Sequence, residues 1–358
     1  MKAFDFKNRI LRFPSTPLLV LVVSLATVMG AEALIRTVRQ AGYYPVENYA
    51  TGNKFLEHKI AQLERYIAEN GKVEYLLVGN SKLGEAVDCR VVSLKYQEIT
   101  GEALSCFNFG FAGNTSEFLP VIFRILEEEY SPDKFVFDVF GPYQRNNVQQ
   151  QNSRWLQYRN GDFNIKGWLI EKSRFIRCFL GVRYWIEQPG EYRQLADAPM
   201  KIQEKDIYDL RDEFNYSNAR EKEKANIQPK ARRLLKARIR RAARVFAAEE
   251  IVLPRVIELV GADKLVFITI PVSSRVRDGM LDFQDRSERA VELSHEHGIP
   301  LLEMPDPEML AGKNWKNDGV HMMGSGRWVY SKWLGEALAQ QEGFVPESLE
   351  HFPEDEKQ

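Results

Sequence analysis

YLLVGNSK, residues Tyr75 to Lys82, decides how the rest of the chain is read. Tyr75 to Val78 form an apolar run with the length and side chains of a buried strand. Gly79 and Asn80 break the run, Ser81 stands just beyond the break, and from Lys82 the sequence can enter a helix. A serine at the C-terminal end of a parallel strand occupies the place where open α/β sheets put their ligands. A βα turn whose serine only caps the following helix produces the same pattern. A second stretch, NDGVHMMGSGRW (Asn317 to Trp328), weighs against that plainer reading. Asp318 and His321 stand three apart there, so one turn can direct both side chains into a single site. A serine nucleophile needs a base to take its proton, and the base needs a partner to fix its tautomer.

Outward from this turn, strand-like and helix-like segments alternate. Lys54–Asn70 has Leu56, Ile60, Leu63 and Ile67 at helical spacing. LSCFNFGFAGNTSE (Leu104–Glu117) reads as a second strand opening into a glycine-containing loop, and FLPVIFRILEEEY as the helix after it. KFVFDVFG (Lys134–Gly141), KLVFITIP (Lys264–Pro271) and IPLLEMP (Ile299–Pro305) supply three further apolar runs. Strands alternating with helices predict a mainly parallel sheet covered on both faces. An excursion over 147–245 interrupts the series and is too long for an ordinary loop. It is rich in aromatics at first (Trp155, Tyr158, Trp168, Phe175, Phe179, Tyr184, Trp185), then charged, and ends in a basic helix, Lys230–Phe246. A lid, an acceptor-binding surface, a helix on anionic lipid and a solvated helix packed by a narrow apolar stripe all fit that composition.

At 358 residues and 44% hydrophobic, the chain can bury a large core. Its net charge of −1 gives no basic field of the kind that nucleic acid requires. Cys89, Cys106 and Cys178 have no metal-ligand spacing and form no disulfide framework, although one pair can bridge in an oxidising compartment. Lys2, Lys7, Arg9 and Arg12 precede Pro17 to Ile35, which is almost wholly apolar apart from Glu32. That stretch is long enough to cross a bilayer, and the basic residues before it predict a cytoplasmic N-terminus with an exported remainder. Small residues from Gly30 to Ala33 leave a cleaved signal peptide as the alternative, but the apolar run exceeds a usual signal core. The expected organisation is a cytoplasmic segment (1–16), an anchor (17–35), a juxtamembrane stretch with the first helix (36–70), and a catalytic domain over 71–358.

The serine turn, the glycine loop and the D-x-x-H resemble, in this chain order, the blocks of the SGNH (GDSL-like) hydrolase superfamily. The resemblance covers Glu74 to about Gly141 and Lys264 to about Leu338. GNSK matches the first block with Asn80 in place of the family aspartate, so Ser81 carries over as nucleophile. NFGFAGNT matches N-x-x-x-x-G, which puts Gly113 at the oxyanion position, and DGVH followed by Gly324 matches the last block, giving Asp318 and His321. The third block departs from the family: GPYQRNN has Tyr143 where an asparagine is expected, and Asn146 and Asn147, slightly beyond, supply an amide only if the loop bends back. A weakened third block and an N-terminal anchor resemble the membrane-bound branch that includes alginate O-acetyltransferases and the teichoic-acid D-alanylation protein.

The resemblance implies a flavodoxin-like three-layer α/β sandwich and a Ser-His-Asp acyl-enzyme mechanism without metal or other cofactor. With the anchor, it implies an O-acyltransferase or esterase of an exported envelope polysaccharide, held in the bacterial inner membrane. The expected partners are the bilayer, the polysaccharide and a multipass membrane acyltransferase. A lipid or small-ester hydrolase of the same fold, and a non-catalytic envelope assembly protein with degenerate motifs, are the alternatives.

Overall fold

The structure is a computed structural model that describes residues 15–40, 47–114, 118–139, 152–187, 246–273, 283–305, 314–316 and 320–344. The chain divides into two compact units, Met1–Gly52 with Asn152–Asp197, and Asn53–Gln151 with Ala198–Gln358.

The second unit holds the sheet. Helix α2 (Lys54–Asn70; α1 belongs to the other unit) starts where Asn53 Oδ1 accepts the N–H groups of Phe55 and Leu56. Its Leu56, Ile60 and Leu63 are buried, and Ile67 is half-buried. There follow β1 (Tyr75–Gly79), α3 (Ser81–Ala86), α4 (Cys89–Thr100), β2 (Cys106–Gly110), α5 (Leu119–Tyr130) and β3 (Lys134–Asp138). The expected break at Gly79 falls one residue later, because Gly79 still pairs with Gly110 in the ladder. α9 (Phe246–Val260; α6 to α8 lie in the first unit), β4 (Leu265–Ile268), α10 (Phe283–His297), β5 (Leu301–Leu302) and α11 (Gly324–Gln341) complete the unit.

Among the described residues the sheet has five strands, all parallel, in the order β2-β1-β3-β4-β5. Connections leave β1 toward β2 on one side and continue from β3 toward β5 on the other. The sheet therefore reverses its winding between β1 and β3, and a crevice opens at the C-terminal ends of those two strands. Alternation along the strands sorts the core. Tyr75, Leu77, Val136, Val266 and Ile268 cluster with Val92 and Tyr96 of α4 and Tyr330, Leu334 and Leu338 of α11. Residues of the other parity meet α5, whose Phe123 ring lies 5.1 Å from Phe135 and 5.5 Å from Phe137. A disulfide joins Cys89, at the start of α4, to Cys106, at the start of β2.

The first unit contains α1 (Ser15–Gln40), α6 (Arg154–Arg159), α7 (Ile165–Lys172) and α8 (Arg174–Glu187). Within α1, Pro17–Gln40 is long and apolar enough to cross a membrane. Glu47, 4% exposed, lies between Arg39, at 2.8 Å, and Arg177, which also donates to the carbonyls of Ile170 and Glu171. The Arg177 guanidinium stacks over Tyr49, whose ring meets Trp155 at 4.5 Å. Of the excursion's aromatics, Trp155 is therefore buried in a local core, packed on Tyr49. The expected basic helix over 230–246 lies outside the described residues, apart from Phe246, where α9 begins.

Candidate active site

β1 delivers the chain to the crevice at Gly79, and Asn80 then adopts an extended conformation as the N-cap of α3. Its Oδ1 accepts the Lys82 N–H at 2.7 Å. An amide oxygen caps a helix as well as a carboxylate does, so asparagine suffices at this turn. Ser81 is consequently the first residue of α3, and its Oγ lies 3.0 Å from Nε2 of His321. Both residues are half-buried.

α3 is held tightly for a helix of six residues. A Cβ added to Gly84 would stand 2.7 Å from Gly110 O, so this helix rests directly on the backbone of β2. The Asn108 carboxamide, at the head of the N-x-x-x-x-G pattern, donates to Leu83 O (3.1 Å) and Val87 O (2.7 Å) and accepts Gly110 N–H at 2.8 Å. Leu83 O also accepts the Val87 N–H at 3.2 Å, whereas the carbonyl of Val87, the C-cap of α3, has no intrahelical donor. Arg327 of α11 donates to Glu85 O at 2.6 Å, and Lys316 pairs with the Glu85 carboxylate at 2.6 Å.

His321 comes from a small antiparallel bridge ahead of α11. Trp315 pairs with Met322, Lys316 N–H donates to His321 O (2.9 Å), and Met323 N–H donates to Asn314 O (2.8 Å). Ser325 Oγ donates to Asn314 Oδ1 at 2.6 Å, which ties the bridge to the first turn of α11. Asp318 lies outside the described residues, as does Asn146.

Gly113 sits in the loop after β2 with φ of 80°, a conformation that favours glycine. The loop is fastened to the end of β1: Phe111 N–H and Asn114 Nδ2 both donate to Gly79 O, at 3.4 and 3.2 Å. Asn53 Nδ2 donates to Ala112 O at 3.1 Å and holds the loop from the other side. Ser81, His321 and the Gly113 loop thus gather at one end of the sheet.

Sequence reasoning missed a buried pair beneath this turn. The Lys82 ammonium donates to Ile270 O at 3.1 Å and lies 3.6 Å from Asp138 Oδ2, with both side chains nearly inaccessible. It joins the C-terminal ends of β1, β3 and β4. Tyr330 donates to Thr269 O at 3.0 Å, and burial together with the Asp138 charge holds its phenol well above the ordinary range. A charged residue beside a βα turn was the one available signal for Lys82, and it does not name a partner. Among the described residues no group of three or more His, Cys, Asp or Glu is placed to hold a metal ion. Chemically, a serine hydroxyl in hydrogen-bond contact with an imidazole can lose its proton as it attacks an electrophilic carbon.

No protein-family model matches the chain, and no curated protein matches it.

Proposed function

We propose that the protein is a membrane-anchored serine O-acyltransferase or esterase acting on O-acyl groups of an exported cell-envelope polysaccharide. The observation that carries this reading is the 3.0 Å contact between Ser81 Oγ and His321 Nε2 at the mouth of a parallel sheet. His321 takes the Ser81 proton as Oγ attacks an ester carbonyl, and Asp318 orients the imidazole and stabilises its cation. Backbone N–H groups of Ser81 and Gly113 receive the oxyanion, with the Asn146 amide as a third donor. Each donor in such a site is worth about 3 kcal/mol of barrier. The alcohol leaves with the proton from His321. The resulting acyl-enzyme passes its acyl group to water or to a sugar hydroxyl that His321 deprotonates. On this reading the second unit is a flavodoxin-like three-layer sandwich of the SGNH kind.

Two observations support export and an uncleaved anchor. The Cys89–Cys106 disulfide fits an oxidising compartment. Glu32, inside the apolar segment, accepts Ser173 Oγ at 2.6 Å and Phe175 N–H at 3.0 Å, so cleavage near Ala33 would remove a built-in partner of α8. With basic residues ahead of α1, the sheet unit belongs on the exported side of a bacterial inner membrane. A reporter fused after Gln358 is expected to be active on that side alone.

Transfer and hydrolysis separate by the fate of the acyl-enzyme. An acceptor hydroxyl bound beside the acyl carbon has an effective-molarity advantage that bulk water lacks. Decay of the adduct, followed by intact-protein mass spectrometry, is expected to be slow in buffer and faster with oligosaccharides of the host envelope. Rapid decay in buffer, unchanged by any acceptor, would assign an esterase instead.

A further inference from the structure

The first unit exposes large apolar side chains that its own packing leaves uncovered. Phe163 is 75% exposed, Ile165 68%, Phe179 61% and Ile186 69%, with Trp168 and Val182 also open to solvent. Phe179, Val182 and Ile186 follow at spacings of three and four, so they form one stripe along α8. Soluble surfaces seldom carry so many exposed aromatic and β-branched residues close together.

The depth of α8 along α1 says what covers them. α8 packs against α1, and the half-buried residues of α1 are Val28, Ala31, Glu32, Ile35, Val38 and Arg39, all on one face. From Pro17 to Thr27 every residue of the same helix is exposed. A hydrocarbon core about 30 Å thick needs about 20 helical residues. A span beginning at Pro17 therefore ends near Arg36, and the packed face begins within its last turns. Ser173 and Phe175, at the start of α8, bind Glu32 itself. If α1 crosses a bilayer, α8 has to start at the level where that bilayer ends. Lys166, Lys172, Arg174 and Arg183 stand among the exposed apolar residues, as expected of helices at an anionic headgroup layer.

Resting on the reading of α1 as an anchor, we infer that α7 and α8 form an interfacial platform. Phe163, Ile165, Trp168, Phe179, Val182 and Ile186 insert into the headgroup–acyl boundary of the membrane that α1 crosses. The platform anchors the exit of α1 through Glu32 and gives the first unit a fixed depth in the lipid.

The test uses the full chain in nanodiscs containing anionic lipid. In a Cys178→Ser background, a small environment-sensitive fluorophore is attached at Ile186→Cys, at Phe163→Cys or, as a reference, at Leu25→Cys. Lipids carrying a nitroxide near the headgroup are expected to quench positions 186 and 163 strongly. Lipids carrying it deep in the acyl chain should quench position 25 and leave the other two nearly unchanged. Quenching at 25 without quenching at 163 and 186 overturns the platform and leaves the anchor intact. Shielding of 163 and 186 from aqueous quencher without lipid quenching assigns the face to protein contact and also overturns it. Absence of lipid quenching at all three positions removes the anchor reading and the platform together.

Discussion

Lys82 follows Ser81 directly, but its ammonium turns into the protein toward Ile270 O and Asp138. Removing one member of a buried ion pair costs about 3–5 kcal/mol, mostly because the other charge stays behind. Lys82→Met is expected to lower the unfolding free energy by about that amount in urea titrations. Lys82→Met/Asp138→Leu should recover a large part of it, since two apolar groups replace two charges. Lys59 gives a second prediction at this scale. Burial lowers its pKa from 10.5 to about 8, with the Arg327 charge adding to the shift. The unfolded chain then binds more protons than the folded one between about pH 8 and 10.5, so stability rises with pH across that window. Burial and Glu342 push the Tyr75 and Tyr96 phenols up from 10.0, so stability falls again once unfolded tyrosine ionises. Denaturation midpoints should begin to climb from about pH 8 in the wild type, and that climb should be absent from Lys59→Met. The meeting of Ser81 and His321 was legible because those residue types and the D-x-x-H spacing are distinctive in the chain. That of Lys82 and Asp138 was not, because a partner on a neighbouring parallel strand leaves no trace in linear order.

At the scale of elements, the short helix α3 positions the serine by backbone contact with β2. Alanine normally favours a helix over glycine by about 1 kcal/mol. At Gly84 the new methyl would stand 2.7 Å from Gly110 O, so the substitution is expected to destabilise instead, by about 1–3 kcal/mol. Pushing α3 away also moves Ser81, and a displacement of about 1 Å can cost a hundred-fold in rate. Gly84→Ala should therefore slow acylation far more than its stability loss alone explains, which paired stability and rate measurements will read. The apolar runs made β1, β2, β3 and β4 legible, and helical spacing gave both ends of α2. β5 reduces to Leu301–Leu302 because it pairs only with β4 at the edge of the sheet. The contact of Glu32 with α8 could not be read at all, since it spans more than a hundred residues.

Across the whole molecule, the disulfide and the apolar helix carry the case for the proposed export and tethering. Cys89 and Cys106 enclose a loop of sequence separation 17, for which chain-entropy reasoning gives about 3 kcal/mol of stabilisation. Cys89→Ser/Cys106→Ser should lose about that much in denaturant, and reduction of the wild type should have the same effect. The order of strands followed from alternating apolar runs only as a class of sheet. The winding reversal that opens the crevice beside Ser81 required the pairings themselves. The most direct test of the central claim is to treat the full chain with an activated ester and map the acyl adduct by peptide mass spectrometry. A single adduct on Ser81 is predicted in the wild type, absent from Ser81→Ala and formed at least about a thousand-fold more slowly in His321→Gln. An adduct elsewhere that persists in Ser81→Ala, or acylation of Ser81 at an unchanged rate without His321, would contradict it.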